Sequence, residues 1–457
     1  MSIETKNKPY VYIVGFIAAL AGLLFGLDTG VISGALPFIK QHFQLSSAES
    51  EQLVVSILIG AIIGTIASGY ISRLLGRHFA ISLSAVIFCI GSVLCALAPN
   101  LFILVTMRFV VGIAVGLASF SAPLYLSEIA PKNVRGGLIA LYQFMITLGI
   151  LVSYLSDTAF TPSGSWRWMF GVTFFPAFIM LLAVLKLPQS PRWLMLRGRI
   201  EEARNVFRLV SSTEQDVNSK VAEIEENLRK THTIRDVLKI RGFTKVLILG
   251  IVLQMIQQFS GINAVIYYAP HIFSMAGFSS PMGQMWATVI VGTVNMLTTV
   301  IAIFYVDKWG RKPILYFGLT LTSLSLILLG YLFHLGIHTE FSQYFAVALV
   351  LVFIFGFAIS LGPIPWILCA EIYPLQGRDI GLGVATTANW VSDAIVSGTF
   401  LTLLTTFGAS ETFIMFGICG VIGFMIVKQF VPETKDFSLE RIEQNLVAGK
   451  RCRELGR

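Results

Sequence analysis

Twelve stretches of roughly twenty predominantly apolar residues follow one another along the chain, each about as long as a helix that crosses a bilayer's hydrocarbon core. They lie approximately at 11–31, 53–72, 79–98, 101–124, 137–157, 168–187, 245–272, 284–306, 313–335, 343–368, 380–403 and 411–431. Inside hydrocarbon every backbone N–H and C=O must find its partner within the protein, so repeated spans of this length fold as helices. Composition agrees: 13% of the residues are charged, about half the ~25% usual for soluble domains. The chain is an all-α, multi-pass membrane protein. Lys6 and Lys8 precede the first apolar run without a small-residue cleavage site, so that run reads as a retained helix.

The formal charge of +8 does not point to nucleic acid, because the basic residues follow topology. With the N-terminus inside, Lys40, Arg108 and Arg167 are the only ones of the 33 Lys and Arg off the inner side. That is a strong positive-inside bias, and it puts both termini in the cytoplasm. Cys89, Cys95, Cys369, Cys419 and Cys452 show neither metal-ligand spacing nor a disulfide framework, so no metal or cofactor is expected.

The sequence contains itself twice. SRLLGRHFAISL at Ser72–Leu83 resembles VDKWGRKPILYF at Val306–Phe317, with Arg77 and Arg311 234 residues apart. SEIAPKNVRGG at Ser127–Gly137 resembles AEIYPLQGRDIG at Ala370–Gly381, placing Glu128 and Glu371, like Arg135 and Arg378, 243 apart. Pro188 and Pro432 each follow the sixth span of a half and lie 244 apart. Two six-helix halves in parallel duplication, with a site between them at midplane, is a transporter architecture. The expected domains are residues 1–187 and 245–431, a cytoplasmic helical linker at 188–244 and a cytoplasmic tail at 432–457. Within the linker, 197–210 and 217–230 have the apolar spacing of helices lying on the cytoplasmic face.

Several polar residues interrupt the spans. Gln257–Pro270 reads QQFSGINAVIYYAP, and unpaired amides in hydrocarbon cost several kcal/mol each. Gln257, Gln258 and Asn263 therefore ask for a hydrogen-bonding ligand, and the absence of charge suits a neutral polyhydroxylated molecule. Gln143 and Asn295 extend the polar set. Gly362, Pro363 and Pro365 must bend or break the tenth helix. Trp366 follows them, and Asn389 and Trp390 are adjacent in the eleventh. An indole offers an apolar face to a sugar's C–H side and an N–H to a hydroxyl. Asp28 in the first span and Arg108 in the fourth are ionisable groups at membrane depth, which default to functional hypotheses. A carboxyl whose surroundings change as a cavity opens can load and release a proton; a static Asp28–Arg108 pair holding helices together is the alternative. Asp393 either binds substrate hydroxyls, titrates, or pairs structurally. On the cytoplasmic side, Arg77, Glu128, Arg135, Asp307, Arg311, Glu371 and Arg378 suggest ion pairs that tie helix ends together and break during inward opening.

Taken together, RFVVGIAVGLASFSAPLYLSEIAPKNVRG, SWRWMF, QSPRWL, QQFSGINAVIYYAP, VDKWGRKP, GPIPW, AEIYP and VPETKDFSLERIE resemble the sugar porters of the major facilitator superfamily. The likeness runs from Gly22 to about Glu443 and is nearest to bacterial proton-coupled galactose, arabinose and xylose symporters. It implies that Gln143, Gln257, Gln258, Asn263, Asn295, Trp366, Asn389 and Trp390 contact sugar. It implies too that Tyr267, with Tyr268 and Pro270, gates the outer side, and that Asp28 couples the proton with Arg108 as partner. The departures are His78 where a second basic residue is usual, in a first GR motif that lacks the Asp kept in the second copy as Asp307, Gln189 where Glu is common, Asp393 where Asn is common, and Ile150 where the xylose type has a second Gln. The expected function is proton-coupled import of a monosaccharide across a bacterial inner membrane by a monomer, not an enzyme. The alternatives are a facilitative uniporter and, given only a short tail, a less favoured sugar sensor.

Overall fold

The computed structural model describes residues 8–131, 134–210, 213–229, 234–374 and 376–456. Among the described residues all regular structure is helical. Twelve segments have the length and composition of membrane spans: Tyr10–Phe43, Ser47–Leu75, Arg77–Ala96, Leu101–Ile129, Gly136–Ser163, Trp166–Val184, Phe243–Met275, Pro281–Val306, Arg311–Leu335, Glu340–Ile372, Arg378–Phe407 and Ala409–Phe430. Polar residues start several of them. Asn100 Oδ1 accepts from Ile103 N at 3.0 Å ahead of the fourth span, and Thr339 with Ser342 forms a reciprocal capping box ahead of the tenth.

The chain separates into two compact units. One comprises Met1–Asp28, Gly60–Ile150 and Arg167–Thr231. The other comprises Thr29–Ile59, Leu151–Trp166 and His232–Arg457. The second unit thus includes two turns from the first half of the sequence, those joining the first to the second span and the fifth to the sixth.

In the first unit the second and fourth spans meet along a seam of small residues. A Cβ added to Gly64 would lie 2.3 Å from Ile113 O, and one added to Gly116 would lie 2.3 Å from Ala61 O. Hydrophobicity cannot drive helices together in lipid, so close backbone approach of this kind supplies the contact. Ser68, Ser72 and Ser121 continue the seam with Oγ···Oγ distances of 2.7 and 2.8 Å. Linker helices Pro191–Leu196, Ile200–Val210 and Glu214–Arg229 belong to this unit, held by Trp193 Nε1 donating to Arg73 O at 3.1 Å. Those ranges overlap the two helices expected from the charge pattern.

Candidate functional site

The amides converge because two spans are broken. The seventh runs as Phe243–Phe259 and Ile262–Met275, joined through Gly261 at φ +85°, a left-handed conformation suited to glycine. Gln257 and Gln258 end the first piece and Asn263 begins the second, so Asn263 Nδ2 reaches Gln258 Oε1 at 2.9 Å. The tenth span passes from Glu340–Gly356 through a π-helical turn, Phe357–Leu361, before resuming at Ile364–Ile372. Such turns recur at functional sites. Pro363 and Pro365 carry no N–H, so the carbonyls of Ile359 and Leu361, four residues earlier, lose their helical donors. Gln257 Nε2 takes up one of them, donating to Leu361 O at 2.6 Å and to Gly362 O at 3.1 Å.

From there the bonds run across to the eleventh span. Asn389 Nδ2 donates to Gln257 Oε1 at 2.6 Å and to Gln254 Oε1 at 2.7 Å. Gln258 Nε2 donates to Asn389 Oδ1 at 3.0 Å. Asp393 Oδ2 accepts from Asn263 Nδ2 at 2.7 Å and from Tyr267 OH at 3.3 Å, while Oδ1 accepts from Ser397 Oγ at 2.7 Å. Gln257, Gln258, Asn263 and Asn389 are therefore one bonded array, as their chemistry requires of buried amides. Trp390 is buried beside Asn389, Trp366 is half-buried just past the GPIP break, and Asn295 is buried on the eighth span. Gln143 is half-buried in the first unit and is not part of this array. Gln254 was not singled out from sequence. Its spacing of three and four residues from Gln257 and Gln258, one helical turn, is the signal that marks it.

Asp28 and Arg108 meet in the first unit. Arg108 Nη1 lies 3.3 Å from Asp28 Oδ1 and 3.4 Å from Oδ2, with Arg108 1% and Asp28 8% exposed. The guanidinium carbon lies 5.4 Å from the centroid of the Phe170 ring, and Arg108 Nε has no hydrogen-bond partner among the described residues.

Tyr268 OH donates to Ser397 O at 2.9 Å. Pro270 deprives Ile266 O of its helical donor, and Tyr154 OH, from the fifth span, donates to that oxygen at 2.9 Å. Glu51 Oε1 accepts from Thr402 N and Oε2 from Thr402 Oγ1, both at 2.6 Å. All of these lie in the second unit, on the side of the chain opposite the termini. Tyr154, Glu51 and a buried Asp157 at the end of the fifth span had no place in the sequence reading.

On the terminal side each half has its own cluster. Arg77 Nη2 lies 2.9 Å from Glu128 Oε1, and Ser190 Oγ donates to Glu128 Oε2. Arg311 Nη2 lies 2.7 Å from Glu371 Oε1, and Thr434 Oγ1 donates to Glu371 Oε2 at 2.5 Å. Glu433 accepts from the backbone N–H groups of Arg311 and Lys312, both at 3.0 Å, a charged cap on the ninth span. Its counterpart Gln189 has a buried Oε1 with no partner among the described residues. The offset of 244 that relates Pro188 to Pro432 also relates Ser190 to Thr434, so the hydroxyl partners were readable from the repeat. Arg378 Nη2 donates to Tyr373 O at 3.4 Å. The side chains of Arg135 and Asp307 lie outside the described residues.

A model of the sugar (and other) transporter family matches residues 14–446. The galactose-proton symporter of Escherichia coli (strain K12) is 47% identical over 452 residues, 99% of this chain and 97% of that protein. The arabinose-proton symporter of the same strain is 45% identical over 447 residues, 97% and 95% respectively. Among solved structures, the partially occluded inward open conformation of the xylose transporter XylE from E. coli matches with a TM-score of 0.82 at 32% identity, covering 94% of this chain and 100% of that one.

Proposed function

The chain belongs to the sugar (and other) transporter family and has the major facilitator fold of twelve helices in two six-helix halves, and from that premise we propose that it imports a neutral monosaccharide together with a proton by alternating access. The observation that carries the sugar reading is the array of side-chain amides on the seventh and eleventh spans, which offers donors and acceptors without a cation. Gln143, Asn295, Trp366 and Trp390 complete the substrate contacts in this reading, and Tyr267, Tyr268 and Pro270 with the Gly362–Pro365 break move as gates. Asp28 is the coupling carboxyl. A membrane-buried acid opposite one guanidinium has two stable states, ionised and paired or protonated and released, and the exchange between them moves one proton. The terminal-side residues, with Arg135, Asp307 and Arg378 among them, tie helix ends together in the outward-open state, and these ties break during inward opening. Both termini face the cytoplasm, the protein lies in a bacterial inner membrane, and it works as a monomer.

Galactose leads as substrate, on the most similar curated relative quoted above, with arabinose next. Purified protein in liposomes takes up labelled galactose against its gradient when an inward proton gradient is imposed. Asp28→Asn abolishes that accumulation while retaining sugar exchange. A substituted protein that still concentrates sugar removes Asp28 from the coupling role. Failure of the unsubstituted protein to bind galactose, glucose, arabinose or xylose removes the sugar reading itself.

A further inference from the structure

The bonds within the amide array have a direction. Gln257 Nε2 must point at Leu361 O and Gly362 O, because backbone carbonyls only accept. Gln257 Oε1 is then left to accept from Asn389 Nδ2, Asn389 Oδ1 to accept from Gln258 Nε2, and Gln258 Oε1 to accept from Asn263 Nδ2. Each amide's orientation is imposed by the one before it, starting from a carbonyl that Pro365 freed. The far end closes on Asp393, an acceptor in every bond it makes. Asn263 is thereby held twice: one Nδ2 hydrogen goes to Gln258 and the other to Asp393.

Of the side-chain polar atoms of Asn263, Oδ1 is the one left to meet a ligand. Within 261–270 Asn263 is the one residue that is not buried, so its side chain is the part of this stretch that opens onto accessible space. Asp393, by contrast, is 1% exposed and reaches the ligand space only through Asn263 and Tyr267. An asparagine left to itself presents either its carbonyl or its amino group after a half-turn about its last side-chain bond. Here that half-turn would forfeit two hydrogen bonds, one of them to the carboxyl group of Asp393.

We propose that Asp393 is a positioning residue for substrate selection: through Asn263 it makes the site present a fixed acceptor, so that one ring position of the sugar must carry a hydroxyl donor. The proposal rests on the sugar-transport reading above and adds a separate, position-specific requirement to it. Fluorine can accept weakly but cannot donate, so replacing the matching hydroxyl with fluorine sets two acceptors against each other.

The test measures binding of galactose and its monodeoxyfluoro analogues, one hydroxyl replaced at a time, to purified protein by titration calorimetry. In the unsubstituted protein one position loses roughly 10- to 100-fold in affinity on fluorination, the range for an unpaired buried acceptor. In Asp393→Ala, Asn263 turns at the expense of only the Gln258 bond, and the loss at that position shrinks to about threefold. Asp393→Asn restores the large loss, since its amide oxygen can replace Oδ2 while its amino group meets Ser397. A purely structural role would lower affinity for every probe by one factor and leave the positional pattern intact; that result overturns the proposal. So does a flat pattern in the unsubstituted protein, or a pattern unchanged in Asp393→Ala. Where Asp393→Ala does not fold, Asn263→Ala decides: the fluorine loss at that one position must vanish, and its persistence there overturns the assignment. If no monosaccharide binds the unsubstituted protein, the transport reading fails and this assignment falls with it, whereas binding with a flat or unchanged pattern overturns this assignment alone.

Discussion

Tyr154→Phe isolates one hydrogen bond whose absence has a calculable effect. Tyr154 OH is the donor to Ile266 O at 2.9 Å, and both residues are buried. Pro270 has no N–H, so that carbonyl has no helical donor to return to. The substitution keeps the ring, which packs against the α-carbon of Gly292, and removes only the hydroxyl. Leaving a buried carbonyl unpaired costs about 1–3 kcal/mol. The penalty falls only on the arrangement in which the fifth and seventh spans touch, so the equilibrium moves roughly 5- to 150-fold towards the arrangement in which they part. Under alternating access that is opening on the side away from the termini. The readout is the labelling rate of Ala269→Cys, a position 1% exposed, by a membrane-impermeant maleimide added to that side. Labelling accelerates about fivefold or more in Tyr154→Phe. The decisive control is Pro270→Ala, which returns an N–H to Ile266 O within the helix and makes the Tyr154 hydroxyl redundant. In that background Tyr154→Phe changes labelling by less than about twofold, a non-additivity that only a shared carbonyl explains. An equal acceleration in both backgrounds refutes the accounting, as does no acceleration in either.

Other perturbations have equally specific expectations. Asp28→Asn strands the buried Arg108 guanidinium and lowers stability by about 3–5 kcal/mol in a thermal-shift assay, while Asp28→Asn with Arg108→Met recovers most of that loss. Gln257→Leu leaves the Leu361 and Gly362 carbonyls unpaired; adding Pro365→Ala restores a donor to Leu361 and recovers stability but not sugar affinity, separable by melting and titration. Glu433→Gln converts the charged cap on the ninth span to the amide that the first half has at Gln189, and costs about 0.3–1 kcal/mol in the same assay. In the linker, Arg208 Nη2 lies 2.8 Å from Glu214 Oε1, and the hydrogen bond from Arg208 holds the Glu214 carboxyl below its ordinary value. A lowered carboxylate stabilises the fold above its unfolded value and loses that contribution as pH falls through the folded one. Arg208→Ala therefore loosens Ile200–Val210 at neutral pH, and its effect shrinks once Glu214 is protonated, when the bond to Asn205 Oδ1 at 3.0 Å is still lost but the pair with Glu214 no longer counts, measured by hydrogen exchange corrected for intrinsic rates.

What could be read from the sequence divides along a physical line. Periodicity, length and charge are properties of single segments, and they were enough for twelve helices, the linker helices and the terminal-side residues Arg77, Glu128, Arg311 and Glu371, which the internal repeat marked twice over, though not for which of them pair. Buried amides were legible as a demand for partners, since an unpaired amide in hydrocarbon is too costly to be incidental. Which partners met the demand was not legible, because it depends on where a helix is broken. Pro365 announces that Leu361 O has lost its donor, and Pro270 announces the same for Ile266 O, but neither says what replaces it. In the first case the replacement is Gln257 and in the second Tyr154, residues 104 and 112 positions away. Asp393 shows the same limit from the other side: its three roles could not be ranked from sequence because a carboxylate's role is set by its donors. With Asn263, Tyr267 and Ser397 all donating to it, the carboxyl has little acceptor capacity left for a ligand. Proline in a membrane helix is thus a readable prompt to look for a distant donor, and the donors found here lie in the site and in the contacts proposed to close it.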